Sequence, residues 1–241
     1  MTHVLNGRVT NSASTEYRQH RFSLPEGATE ILLVRHGESA PAREDRPFPL
    51  VDGQGDPPLA EIGTRQAVRV GDRLAHEDLD GIYVTTLRRT VETATPLATR
   101  LGITPVVEPG LREIMLGEWE GGIFRIRVAE RDPIAVRMYE TERWDAIPGA
   151  ESTEDFTDRI REAIERLAAK HVDRRIVAFT HGGVIGQVVA MASGARPFAF
   201  IDADNASITQ LVVWGERWLV RRFNDTAHLD ARFTMRAEPL E

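Results

Sequence analysis

Two short runs of wholly apolar residues limit most strongly what this chain can fold into. Ile31-Leu32-Leu33-Val34 and Ile176-Val177-Ala178-Phe179 carry no polar interruption, the pattern of strands covered on both faces. Segments of helical character lie between and around them. Residues 61–75 have Ile62, Val68, Val70 and Leu74 among their apolar positions, and residues 90–101 form a second such segment. Residues 153–169 place Phe156, Ile160, Ile164 and Leu167 at helical spacing behind Ser152, a good N-cap, and residues 184–192 follow the second apolar run. Residues 81–85 and 105–107 read as further strands, and 207–214 with 218–223 as a closing hairpin around Gly215-Glu216. Strands that alternate with helices and end in a hairpin predict an α/β, three-layer sandwich. Its central sheet should be mostly parallel, with an antiparallel edge.

The alternation breaks at residues 121–147, which are helical in character and carry Arg125, Arg127, Arg131, Arg137 and Arg143. This stretch reads as a helical insertion over the active-site face. Residues 1–28 are polar and without periodicity, and read as a flexible N-terminal arm. Residues 29–241 then form a single domain, within reach of one hydrophobic core. The Pro- and Gly-rich loop over residues 39–58 is long enough to serve function rather than mere connection.

Composition removes whole classes of chemistry. The absence of cysteine excludes a disulfide scaffold, a thiol nucleophile and a thiolate metal site. The longest apolar run, Val188 to Ala192, is five residues, far short of the roughly 20 that a spanning helix needs. With no basic-then-apolar pattern at the start, no membrane association and a cytoplasmic location are expected. A formal charge of −7 argues against nucleic acid as a partner.

The chemistry gathers where strands end. Val34-Arg35-His36-Gly37 and Thr180-His181-Gly182-Gly183 close the two apolar strands in the same way. Ligands of open α/β sheets bind at the carboxyl ends of strands, so both histidines should reach one crevice. Gly182-Gly183 opens a helix, and its backbone N–H groups can approach an anion closely. After the strand at 81–85, one arginine of Arg88-Arg89 should enter the crevice, with Arg88 the solvated one. The segment from Leu111 to Gly121 brings carboxylates near Trp119. A carboxylic acid in a partly closed apolar crevice is suited to general acid work. Two histidines, arginines, a helix N-terminus and a carboxylate can hold a tetrahedral dianion and attack it with an imidazole nitrogen. Arg125, Arg127 and Arg131, on the segment over the crevice, are the candidate substrate-selecting residues. The four tryptophans read as packing.

These motifs, in this order, resemble the histidine phosphatase superfamily, which includes cofactor-dependent phosphoglycerate mutases and many broad phosphatases. Leu33-Val34-Arg35-His36-Gly37-Glu38 is similar to the family's opening, and Pro58 to Ala67 to its first helix entry. Thr85-Thr86-Leu87-Arg88-Arg89-Thr90 resembles its arginine motif, with Thr85 where serine is usual. Leu111-Arg112-Glu113 with Gly117 to Gly121 resembles its acid motif. Pro148-Gly149-Ala150-Glu151-Ser152 and Thr180-His181-Gly182-Gly183-Val184 match two more. The resemblance covers residues 31 to about 229.

The resemblance implies a histidine acid phosphatase-type phosphomonoesterase working through a phosphohistidine on His36. Arg35, Arg89 and His181 would clamp the phosphoryl oxygens, with His181 as an imidazolium. Glu113 would protonate the leaving oxygen and then activate water, and Gln54 would touch the phosphate. No metal and no cofactor are implied, and the partner is a small-molecule phosphomonoester. The alternatives are a phosphoglycerate mutase cycle and a non-catalytic phospholigand-binding protein. The opening continues as Glu38-Ser39-Ala40-Pro41, without the Trp-Asn usual in mutases, which favours hydrolysis. The closing strand, with Arg221-Arg222, offers an edge at which a homodimer could pair.

Overall fold

The computed structural model describes residues 8–11 and 14–229; residues 1–7, 12, 13 and 230–241 lie outside the described residues, the first three groups within the expected arm. Strands β1 (Arg8–Asn11) and β2 (Ser14–Tyr17) pair as an antiparallel ribbon. There follow β3 (Thr29–Arg35), a small ribbon of β4 (Leu50–Val51) and β5 (Gln54–Gly55), α1 (Glu61–Leu74), β6 (Gly81–Val84), α2 (Arg88–Leu101) and β7 (Val106–Val107). The insertion holds α3 (Ile123–Ala129) and α4 (Pro133–Thr141), and the chain continues through α5 (Thr153–Lys170), β8 (Arg175–Thr180), α6 (Gly182–Ser193), β9 (Ile208–Trp214) and β10 (Arg217–Asp225).

The central sheet has the order β10-β9-β3-β8-β6-β7. β3, β8, β6 and β7 run parallel, while β9 is antiparallel to β3 and β10 to β9. The sheet is therefore mostly parallel with an antiparallel edge, as the alternation predicts. Successive side chains point to opposite faces of a strand. Leu32, Val34, Val177 and Phe179 pack with Val70 and Leu74 of α1 and Ala94 and Leu97 of α2. Ile31, Leu33, Ile176 and Ala178 pack with Phe156, Ile160 and Ile164 of α5 and Ile185 and Val188 of α6. Both faces are dry, which is why the two strand sequences are apolar without a break. Among the described residues no helix is long and apolar enough to cross a membrane.

Helix starts depend on where the cap comes from. Ser152 accepts the Asp155 N–H at 3.0 Å, the local cap the sequence announces. α2 begins at Arg88, two residues before the spacing predicts, because Asp56 Oδ1 accepts the Arg88 N–H at 2.8 Å from 32 residues away. The 39–58 loop is fixed by more bonds of this kind: Phe48 N to Gly121 O (2.9 Å), Gly55 N to Glu120 Oε2 (2.7 Å) and Leu59 N, just beyond it, to Glu92 Oε2 (2.7 Å). It is a strap across the carboxyl ends of the strands.

The turn after β3 rests directly on α1. A Cβ on Gly63 would lie 2.0 Å from the Glu38 carbonyl oxygen, and one on Gly37 would lie 2.5 Å from Gly63 O. Gly→Ala inside a helix ordinarily stabilises by about 0.5–1 kcal/mol. Here the backbone cannot give without moving Glu38, two residues from His36, so Gly63→Ala should destabilise by about 1–3 kcal/mol, the usual range for overpacking. Thermal unfolding is the check: a Tm lowered by several degrees is expected, and a raised Tm would show that the contact is slack.

Candidate active site

β3 and β8 are neighbours, in a register that places Arg35 opposite Thr180. The residues that follow, His36 and His181, therefore emerge side by side at the strand ends, with ring centroids 5.2 Å apart. His36 is 5% exposed and His181 fully buried.

The hydrogen bonds of His36 define its chemistry. Its Nδ1 lies 2.7 Å from the carbonyl oxygen of Gly37. A carbonyl can only accept, so Nδ1 carries the proton and Nε2 keeps its lone pair. Arg89 donates from Nε to that Nε2 at 3.2 Å and from Nη1 to Gly55 O at 2.9 Å. The His36 backbone is bound on both sides, its N–H to Thr180 O at 3.0 Å and its carbonyl by Asn205 Nδ2 at 3.1 Å. Burial holds the His36 pKa well below the usual histidine value, with Arg89 and then Arg35 adding to the effect. The ring is a neutral imidazole whose unprotonated Nε2 faces cations.

Arg35 lines the same crevice, donates through Nη1 to Ala203 O, and has a buried Nε with no hydrogen-bond partner. A Cβ on Gly182 would stand 3.3 Å from that Nε, so the glycine leaves room for the guanidinium. Burial pushes Arg89 down to about 10, opposed by Glu113 and Asp56, and leaves it cationic at neutral pH. His181 Nε2 is 3.0 Å from Thr85 Oγ1, and its Nδ1 is buried without a partner. The expected imidazolium at His181 is not what the free protein holds. Burial foremost, then Arg89, His36 and Arg159, lowers its pKa well below the usual histidine value, which favours the neutral ring.

Glu113 faces the cluster. Its Oε1 accepts the Ile114 N–H at 3.1 Å and its Oε2 the Gly183 N–H at 3.2 Å. The N-terminus of α6 thus holds the Glu113 carboxylate. Gln54 is buried at the crevice, donating through Nε2 to the carbonyls of Glu113 (2.7 Å) and Ile114 (3.3 Å), and its Oε1 has no partner.

The insertion sends one of its arginines here. Arg125 lines the crevice, donates to Ser39 Oγ at 2.7 Å and Ala40 O at 2.9 Å, and lies over the Phe48 ring. Arg127 is not brought in: it is half-exposed and paired with Glu130 at 3.2 Å. Arg131 is exposed just beyond α3, and Arg88 pairs with Glu92 on the surface of α2, as expected. Trp119 and Trp144 do pack, yet they also line the crevice with Glu120, roles that sequence reasoning missed. The Gly117-to-Gly121 motif was the available signal for the first and last of these. The crevice encloses about 150 Å³, the scale of a phosphate and a small alcohol. Among the described residues no group of three or more His, Cys, Asp or Glu side chains is arranged to hold a metal.

Comparison with known proteins places these observations. Residues 31–226 match the family model of the histidine phosphatase superfamily (branch 1). The chain is 32% identical over 210 residues to the metal-independent phosphoserine phosphatase of Arabidopsis thaliana, covering 84% of each. It superposes on a mycobacterial glucosyl-3-phosphoglycerate phosphatase with a TM-score of 0.66 at 29% identity, over 82% of this chain and 99% of that one. It shares the fold of a phosphoglycerate mutase from Bacillus anthracis with a TM-score of 0.71 at 22% identity, over 84% and 96% of the two chains.

Proposed function

The chain belongs to the histidine phosphatase superfamily, and from that premise we propose that it is a metal-independent hydrolase of small phosphomonoesters working through a phosphohistidine on His36. The observation that carries this reading is the state of His36: Nδ1 committed to the Gly37 carbonyl, and Nε2 without a proton, accepting from Arg89 Nε at 3.2 Å.

In the first step His36 Nε2 forms a bond to phosphorus as the ester P–O bond breaks in line with it, and the Glu113 carboxyl gives its proton to the departing oxygen. In the second, the Glu113 carboxylate takes a proton from water as the water oxygen attacks phosphorus. The P–N bond breaks, returning a neutral imidazole and inorganic phosphate. Arg35, Arg89 and His181 hold the non-bridging oxygens, with the Gly182 end of α6 beside them. Such fixed cations and dipoles cost no reorganisation when charge moves. Gln54 fixes the peptide of the acid through its Nε2, which leaves it no donor for the phosphate. Arg125, pinned at the rim, is the substrate-selecting residue of the insertion. The metal-independent phosphoserine phosphatase and the glucosyl-3-phosphoglycerate phosphatase point the same way, toward a small phosphorylated metabolite.

With arginines supplying the positive charge, p-nitrophenyl phosphate hydrolysis from about pH 4 to pH 9 should be unchanged, within about twofold, by EDTA. Activity lost to the chelator and restored by a divalent ion would overturn the metal-independent reading. Conversion of 3-phosphoglycerate to 2-phosphoglycerate under a bisphosphate primer without net phosphate release would overturn the hydrolase reading and make the chain a mutase.

A further inference from the structure

The Pro148-to-Ser152 motif has no part in the chemistry above, yet the structure ties it to the acid. Glu113 lies on a stretch, residues 112–116, that belongs to no helix or strand. Its backbone carbonyls have no ladder to bond to, and a general acid must be held to within about half an ångström to work. Gln54 holds the carbonyls of residues 113 and 114, and the larger set of bonds comes from one side chain on α5. Arg159 donates from Nη1 to Gly110 O (2.9 Å) and Arg112 O (2.8 Å), and from Nη2 to Glu113 O (2.9 Å). Its Nε meets Glu151 Oε1 at 2.6 Å and Nη2 also meets Glu151 Oε2 at 2.9 Å. All five guanidinium hydrogens are used, in the planar fork that only arginine offers.

Glu151 closes the arrangement. Besides its bidentate pair with Arg159, it accepts the Met115 N–H at 3.3 Å, and its own N–H donates to Met115 O at 2.9 Å. Thr180 Oγ1 holds Leu111 O at 2.8 Å from the end of β8. The carbonyls of residues 110, 111, 112 and 113 are thus all fixed by side chains, three of them by Arg159. The guanidinium lies over the buried Phe156 ring, 4.8 Å from its centroid, which fixes its height above the core.

We propose that Arg159, neutralised by Glu151, is the positioning residue that holds Glu113 at the leaving-group oxygen. The proposal rests on the reading of Glu113 as general acid, and leaving-group chemistry separates the two. An alkyl oxygen needs a proton to depart, whereas p-nitrophenolate leaves as an anion. kcat/KM reports the step in which that group departs, whatever limits turnover afterwards.

The experiment compares kcat/KM for glycerol phosphate and p-nitrophenyl phosphate in wild type, Arg159→Lys, Arg159→Ala, Glu151→Gln and Glu113→Gln. Lysine keeps the charge and the stem, so the fold is retained while the fork is lost; circular dichroism and Tm check this. Glu113→Gln should lose about 10²-fold or more on the alkyl ester and far less on the aryl ester. Arg159→Lys and Glu151→Gln should show the same signature at about tenfold, and guanidine should restore part of the alkyl activity of Arg159→Ala. Equal losses on both esters would mean a merely structural role, and no loss would mean none; either overturns the proposal while the Glu113 result stands. A Glu113→Gln variant without the signature would overturn the acid assignment, and the positioning role with it.

Discussion

His36→Ala is expected to lower kcat/KM for every phosphomonoester by about 10⁴-fold or more, the scale on which removal of a nucleophile acts. No other group in the crevice can take over. The chain has no cysteine. His181, 5.2 Å away, is fully buried, and its Nε2 is engaged with Thr85 Oγ1. The cations and the acid remain in the variant, so it should still bind inorganic phosphate while failing to turn ester over. Trapping gives the second readout. Wild type quenched in alkali during turnover should carry phosphate that is released by acid, the behaviour of a phosphoramidate, and the variant should carry none. Turnover retained within tenfold, or a phosphoenzyme in the variant, would remove His36 from its role.

The two histidines could be found in the sequence because their setting is local. Each follows an apolar strand and precedes a glycine, and a parallel sheet brings such strand ends together. Arg89 was legible for the same reason, at the junction of β6 and α2. Arg159 was not. It sits on α5 among Asp158, Arg161 and Glu162 and reads there as part of a solvated face, because its acceptors lie 46 to 49 residues away. The start of α2 was misplaced for a related reason, since its cap, Asp56, is supplied by the strap. Arg127 shows the opposite error. Two residues from Arg125 on one helix, it points elsewhere, since residues at i and i+2 do not share a face. Spacing alone could not say which of the two faced the crevice. The charge of His181 also lay beyond the sequence: it depends on how completely the core excludes water and on how close Arg89, His36, Arg159 and Arg35 come, which only packing fixes.

Arg89→Ala should cost about 10³-fold in kcat/KM and should also move the acid limb of the pH profile. The first effect follows from position. Arg89 is nearly buried, donates to His36 Nε2, and is among the cations that must meet the charge of the transferred phosphoryl group. The second follows from its field on the nucleophile. Burial is the larger cause of the lowered His36 pKa and Arg89 the next. Only the unprotonated ring attacks, so in wild type kcat/KM should fall with decreasing pH at a point well below 6.5, the ordinary histidine value. Without Arg89 the His36 pKa rises toward 6.5 but stays below it, because burial remains, and the acid limb shifts upward by the same amount. Stability follows with the same sign. His36 and His181 bind protons less readily folded than unfolded, so wild type keeps full stability above pH 6.5 and loses it as pH falls from there toward the folded pKa values. Arg89 lowers both histidines, so the variant should lose less stability over that interval. Arg89→Lys separates the two roles. Charge is kept, so the acid limb should stay near its wild-type position, while the fork that reaches both His36 and Gly55 is lost and kcat/KM falls. An acid limb unmoved in Arg89→Ala would mean that Arg89 does not set the state of the nucleophile, leaving it to burial and the remaining arginines.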